Sequence, residues 1–273
     1  MIAAIADIHG NLPALEAVLD DMPKVDEIWV LGDYATGAPY PCEVFDRLFG
    51  LSAPLRCILG NHDETLLAQR GTKYGKQFGI FGWVQDCLKP HHWDFLESLP
   101  KTLDVDGLAL LFHGKPEMTD GLIITRQDAE TVAKSCGHKW LAGGHRHRFM
   151  VFRLRDRRLF IPGSVGISID SIGGMASYAL LCKDTGRLTF RQVSYDVDSV
   201  TTAIDKSPLV ELAPGFSKSV KKELLTGRLY AMSLVKFGFD YAEKQLGFRP
   251  DEIPHDLWDE AEMLWDESPL PMF

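Results

Sequence analysis

Long apolar runs are missing from these 273 residues. No stretch approaches the roughly 20 residues that a membrane-crossing helix needs, so no membrane association is expected. Cysteine is scarce: Cys42, Cys57, Cys87, Cys136 and Cys182 are odd in number and nowhere fall at C-x-x-C spacing. That pattern excludes a disulfide framework and indicates reduced thiols in a cytosolic protein. Positive charge is in deficit, with 29 Lys and Arg against 38 Asp and Glu and a formal charge of −9. A sequence-independent grip on a nucleic-acid backbone needs a basic surface, so stable nucleic-acid binding is not expected, whereas small anionic substrates would be admitted where bound cations reverse the local sign. Internal repeats and low-complexity segments are also absent. An apolar strand pattern starting at residue 2 leaves no room before it for a signal peptide, and the expected location is cytoplasmic. Hydrophobic content of 45% and charged content of 25% fit a soluble globular chain of one sizeable domain, or a domain with an appendage.

What is present is a recurring unit, an apolar run that stops at a metal-ligating side chain. Ile2 to Ala6 ends in Asp7 and His9, followed by Gly10 where the chain must turn and by Asn11 and Pro13, a helix-start pair. On extended backbone, positions i and i+2 point the same way, so Asp7 and His9 can share one target. Leu12, Leu15, Val18, Leu19 and Met22 then mark an amphipathic helix. A second strand, Glu27 to Leu31, stops at Gly32-Asp33-Tyr34; after the turn-rich Thr36 to Pro41, Cys42 to Phe49 reads as a helix. A third, Leu55 to Leu59, ends in Gly60-Asn61-His62-Asp63. Residues 64–100 read as helices with a loop near Gly71 to Gly82, and His91 and His92 as surface histidines without a partner.

Leu103 to Val105 and Leu108 to Phe112 flank Asp106-Gly107, a hairpin signal, and the second strand ends at His113-Gly114. Thr125 to Cys136 reads as a helix stopped by Gly137, and Trp140 to Ala142 leads into His145-Arg146-His147, again a pair at i and i+2. Strands follow near Met150–Leu154, Leu159–Ile161, Ser177–Leu181 and Thr189–Val193, with a tight loop over Pro162 to Gly166. Beyond about residue 198 strand signal fades, leaving two helical patterns, one over about 218–246 and one around Leu257 to Trp265.

Five strand ends thus carry Asp7 with His9, Asp33, Asn61, His113, and His145 with His147. In open α/β sheets, sites collect at the carboxyl ends of strands, so these residues can converge. Three carboxylate or amide groups and four imidazoles are enough for two cations sharing one carboxylate. Such a nitrogen and oxygen set suits manganese, iron or zinc better than calcium, and the lack of cysteine among the ligands argues against a structural zinc site.

The order D-x-H, G-D, G-N-H-D, H-G, G-H-x-H resembles the calcineurin-like metallophosphoesterase superfamily. Gly37 to Pro41, Pro162 to Gly166 and Ala176 to Ala179 are similar to its small bacterial and archaeal branch of phosphodiesterases and diadenosine-tetraphosphate hydrolase-like enzymes. The resemblance covers residues 1–198. It implies an α/β two-sheet α-β-β-α sandwich; beyond it, residues 199–273 read from their own patterns as a helical extension that forms a lid, a surface for homo-oligomers or a layer over a sheet edge. The resemblance further implies that Asp7, His9, Asp33 and His147 hold one metal and Asn61, His113, His145 and the shared Asp33 the other. Manganese is the leading ion, with iron, zinc and nickel as alternatives. His62 would be the leaving-group acid and a hydroxide between the cations the nucleophile. Neighbours on extended backbone project oppositely, so Asn61 can ligate while His62 faces substrate.

Asn11, Tyr34 and Arg146 are the candidate substrate contacts; Tyr34 stacks on a base or merely packs, and Arg146 grips a phosphate oxygen or is solvated. Asp63 either supports a ligand or caps the next helix. Three positions depart from the family pattern: Arg146 replaces a small hydroxyl residue, Lys115 a serine and Ile161 an asparagine. The implied activity is hydrolysis of phosphodiester or phosphoanhydride bonds in small nucleotide-like substrates such as dinucleoside polyphosphates. A Ser/Thr phosphoprotein phosphatase is disfavoured, because Tyr34-Ala35-Thr36-Gly37 lacks the V-D-R-G continuation. A non-catalytic scaffold of the same fold is disfavoured too, because every ligand position is kept.

Overall fold

The structure is a computed structural model that describes residues 1–72 and 79–271. Its first half runs β1 (Ile2–Ile5), α1 (Leu12–Asp21), β2 (Glu27–Val30), α2 (Pro41–Phe49), β3 (Leu55–Cys57), α3 (Asn61–Ala68), α4 (Gly79–Cys87) and α5 (Pro90–Ser98). There follow β4 (Thr102–Val105), β5 (Ala109–Phe112), α6 (Arg126–Ser135), β6 (Trp140–Ala142), β7 (Phe149–Arg153), β8 (Arg158–Pro162), β9 (Met175–Leu181) and β10 (Leu188–Ser194). The chain closes on α7 (Val197–Lys206), α8 (Leu209–Leu212), α9 (Pro214–Thr226), α10 (Ala231–Leu246) and α11 (His255–Leu264).

Every residue of β1 is buried because both of its faces are covered, and its sequence is accordingly an unbroken apolar run. It lies mid-sheet, parallel to β2 and antiparallel to β9, in the order β10-β9-β1-β2-β3. A second mixed sheet runs β4-β5-β6-β8-β7. Alternation along each strand sorts the core into layers. Ile2, Ala4, Trp29 and Leu31 from the first sheet meet Leu111, Trp140, Ala142 and Phe160 from the second. Ala3, Ile5 and Val30 face the other way, onto Leu15, Val18, Phe45 and Leu66 of the helices. Behind the second sheet, Leu141, Leu159 and Ile161 pack on Ala129, Val132 and Ala133 of α6. The result is the α-β-β-α sandwich that the resemblance implied.

The single long pattern over 218–246 is broken in the structure, because Gly227 at φ +63 terminates α9 as a left-handed cap. Five helices therefore follow residue 196 among the described residues, not two. Tyr230, Leu234, Ala242, Ile253, Trp258 and Trp265 give them a core of their own. A second cluster joins Val200, Ile204, Val220 and Leu224 to Ala38, Ile167 and Ile169 of the sandwich loops. The loop expected near Gly71 to Gly82 is helical from Gly79 on, and residues 73–78 lie outside the described residues. Helix α6 ends on extended Cys136 rather than on a glycine turn.

His92 corrects another expectation. Position N3 of α5 turns it inward, where its ring stacks on Phe45 at 5.2 Å and Nε2 donates to Asp46 at 2.9 Å. Asp46 lies on α2, far away in sequence, so nothing local announced the pairing. His91 is exposed as expected, though within 3.3 Å of Asp46.

Candidate metal centre

Five of the seven expected ligands sit on left-handed backbone: φ is +55 at Asp7, +51 at His9, +57 at Asp33, +64 at His145 and +56 at His147. The reasoning from extended backbone is therefore wrong in its premise, although the side chains do converge. Such torsions are unfavourable for L-residues other than glycine and persist only where the surroundings fix them. Here the strand ladder continues into the loops, with Asp7 N donating to Gly32 O at 3.1 Å and His9 N to Asp33 O at 3.0 Å. The carboxylate of Asp7 accepts the amide of His145 at 3.1 Å, tying the two sheets together. Asn61 and His62 are likewise not extended: they open helix α3, so about 100° of helical turn rather than opposed faces separates them.

Two clusters form, and Asp33 stands between them. Asp7, His9 and His147 bring one ligand atom each within 4.8 Å of one another, as do Asp33, His113 and His145. Asp33 also groups with His9 and His62. Its Oδ2 lies 3.3 Å from His113 Nε2 and 3.7 Å from His9 Nε2, while Oδ1 accepts the amide of His62 at 2.9 Å. Gly60 permits this approach, since a Cβ there would stand 2.1 Å from Asp33 Oδ1.

The rings are oriented from behind. His9 donates Nδ1–H to Thr36 O, His113 to Leu31 O and His147 to Ile167 O at 2.8 Å. Each therefore turns its Nε2 to the cavity, the arrangement found behind metal-bound histidines. His9 and His147 meet Nε2 to Nε2 at 3.0 Å, a repulsive contact unless a cation is shared between them. Asp33 Oδ2, Asn61 Oδ1 and His113 Nε2 are buried polar atoms without a hydrogen-bond partner. Unpaired buried polar atoms are costly, and a set of imidazole, carboxylate and amide donors without thiolate fits borderline divalent ions such as manganese, iron, zinc or nickel.

Without metal, the charges settle on specific atoms. Burial pushes Asp7 up to about 8. Burial also opposes charge on His113, but Asp33 and Asp7 outweigh it and hold that ring at about 10. Asp33 stays well below the usual carboxylate range, because His113 and His62 outweigh its burial. Burial lowers His9 and His145 to about 4. Cations binding at these atoms would have to displace the protons favoured on Asp7 by burial and on His113 by its carboxylate neighbours. Metal uptake at pH 7 is expected to release protons, from Asp7, His113 and the water that the ions ionise, and affinity should accordingly rise with pH. Calorimetry in buffers of differing ionisation enthalpy measures the count, and zero release at pH 7 would contradict this proton placement.

Around the clusters the expectations divide. His62 is half-buried at the cavity, its Nδ1 2.7 Å from the Thr36 hydroxyl and its ring stacked on Phe81 at 5.3 Å. Asp63 does both things weighed for it. It accepts the Gly60 amide as a helix cap, and it accepts the amides of Asp33 and Tyr34, at 2.8, 2.8 and 3.2 Å. Tyr34 is not a substrate contact: it is wholly buried, packed on Phe45 and Phe95, with its hydroxyl donating to Ile58 O. Asn11 is not one either. It is wholly buried, capping α1 through Ala14 N and donating to Gly166 O at 2.8 Å. Arg146 is half-buried between the two histidines. Lys115 approaches Asp128 at 3.9 Å, and Ile161 lies in the core of β8.

Sequence reasoning missed Thr36 and Ser164. The Ser164 hydroxyl donates to Asp7 O and accepts from Ile167 N, both at 2.7 Å, locking the loop behind His147. Asp46, His91 and His92 also cluster, but His92 Nδ1 accepts the Lys89 amide. The proton of the neutral ring must then sit on Nε2, and no lone pair is left for a metal.

Residues 1–186 match the calcineurin-like phosphoesterase superfamily domain. An uncharacterized protein of Methanocaldococcus jannaschii is 28% identical over 237 residues, spanning 77% of this chain and 94% of that protein. The crystal structure of a metallophosphoesterase from Sphaerobacter thermophilus superimposes with a TM-score of 0.73 at 28% identity, covering 83% of this chain and 99% of the other. A symmetrical bis(5'-nucleosyl)-tetraphosphatase of Pseudomonas fluorescens is 37% identical over 68 residues, which is 24% of this chain and 23% of that enzyme. With two ligand clusters at the strand ends of a two-sheet sandwich, and that match over most of its length, the chain belongs to the calcineurin-like phosphoesterase superfamily and is a phosphoester hydrolase.

Proposed function

We propose that this protein hydrolyses phosphodiester or phosphoanhydride bonds of small nucleotide-like substrates, dinucleoside polyphosphates among them, at a dinuclear metal centre. The observation that carries the reading is the buried Oδ2 of Asp33, 3.3 Å from Nε2 of His113 and 3.7 Å from Nε2 of His9, one ring from each cluster. Asp7, His9, Asp33 and His147 would hold one ion and Asn61, His113, His145 and Asp33 the other, with manganese the leading candidate. Bound there, the ions supply a hydroxide at neutral pH and neutralise charge on the phosphoryl oxygens. The residues of the chain do the rest. Asp63 holds the Asp33 loop, backbone carbonyls fix the histidine tautomers, and His62 delivers a proton to the departing oxygen. The similarity to a symmetrical bis(5'-nucleosyl)-tetraphosphatase supports the substrate class. Residues 199–273 are proposed as a helical layer that braces the loops beside the centre, through Ile167 and Ile169.

The test is hydrolysis by metal-depleted and manganese-reloaded protein of bis-p-nitrophenyl phosphate, diadenosine tetraphosphate and a phosphomonoester. Activity is expected only after reloading, with the polyphosphate preferred. His62→Ala is expected to lower kcat on the polyphosphate about 10²- to 10⁴-fold while metal content stays at two ions. A fully loaded wild type inert on all three substrates would point instead to a binding scaffold.

A further inference from the structure

Thr36 lies in the loop between β2 and α2, is 2% exposed, and contacts two functional side chains at once. Its carbonyl accepts Nδ1–H of His9, and its hydroxyl lies 2.7 Å from Nδ1 of His62. The next residue, Gly37, adopts φ +147, and a Cβ there would lie 2.9 Å from both the Cβ and the carbonyl oxygen of His9. The segment is thus pressed against His9 and has little room to shift. Threonine adds stiffness of its own, because branching at Cβ restricts χ1. The rings of His9 and His62 stand edge to face at 5.1 Å, and Phe81 stacks on His62 at 5.3 Å.

We propose that Thr36 is the positioning residue for proton delivery, its hydroxyl accepting Nδ1–H of His62 so that Nε2–H is aimed at the leaving-group oxygen; this rests on His62 being the leaving-group acid. As the new P–O bond forms on the water side, the P–O bond to the leaving group breaks. The Nε2 proton passes to the departing oxygen, and its electron pair stays on the ring. His62 is left neutral, with Nδ1–H still held by Thr36 and a lone pair on Nε2, and it recovers a proton from solvent for the next turnover. Because one residue grips both rings, through its carbonyl and its hydroxyl, the acid is held at a fixed distance from a ligand of the nearer cluster.

The consequence is a dependence on the leaving group. A phenolate departs poorly without a proton, whereas p-nitrophenolate is a stable anion and needs little help. Thr36→Val keeps the branched shape and the carbonyl but removes the hydroxyl. On manganese-loaded protein it is expected to lower kcat for a phenyl phosphodiester about tenfold more than for the matching p-nitrophenyl diester, with KM little changed, since small misplacements of a catalytic group cost up to about 10²-fold. Thr36→Ser should recover most of the loss, and Thr36→Ala carries the same expectation should the valine variant fold poorly. If the Thr36 variants slow both esters equally, or neither, while His62→Ala still discriminates between them, the positioning role is overturned and the acid stands. If His62→Ala itself slows both alike, the acid assignment fails first.

Discussion

Asp33→Asn is expected to lower kcat by at least about 10³-fold on every phosphodiester tested and to reduce bound metal from two ions to one or none. Asparagine is the informative replacement, because position 33 needs φ near +57 and asparagine tolerates left-handed backbone better than alanine does. The amide oxygen can still accept from the backbone of His62. What disappears is the negative charge at the point facing both His9 and His113. Elemental analysis and steady-state kinetics on the same sample read the two effects, with circular dichroism reporting the fold. A variant that retains both ions and activity within tenfold of wild type would remove Asp33 from the bridging role.

Ending the chain at residue 198 is expected to cost both stability and metal. Ile167 and Ile169, each only 5% exposed, lose their cover of Val200, Ile204, Val220 and Leu224. Exposing two such side chains costs about 3–6 kcal/mol, a large share of the 5–15 kcal/mol typical of a folded domain. A fall in Tm of about 10 °C or more follows. The loss should be felt first at His147, because Ile167 O holds its ring and its own carbonyl accepts the Ile169 amide at 3.1 Å. Differential scanning calorimetry with and without manganese measures both. A truncated chain that melts like the full one and binds two ions would show that the helical layer has no bracing role.

Much of this was legible in the sequence because a strand that stops at a ligand leaves a local mark. The runs before Asp7, Asp33, Asn61, His113 and His145 are short, apolar and punctuated by glycine, and that pattern located the centre. The mechanism of convergence was not legible. The i and i+2 rule assumes extended backbone, but tertiary hydrogen bonds such as Asp7 N to Gly32 O impose left-handed torsions that no local propensity signals. Tyr34 and Asn11 were misjudged for a related reason: proximity in sequence to a ligand says nothing about which way a side chain points, and both point into the core. The partnership of Thr36 with His62 spans 26 positions, and that of Asp46 with His92 spans 46. Such pairings exist only once the chain has folded.

The five left-handed positions among the proposed ligands make their loops a rigid socket. At a cost of roughly 1–2 kcal/mol each, the torsional strain is carried by the folded polypeptide, and the loops that bear it have little freedom to adapt. Ions of different size must then compete on how well they suit a mould already cast, and exchanging one for another should alter turnover far more than it alters shape.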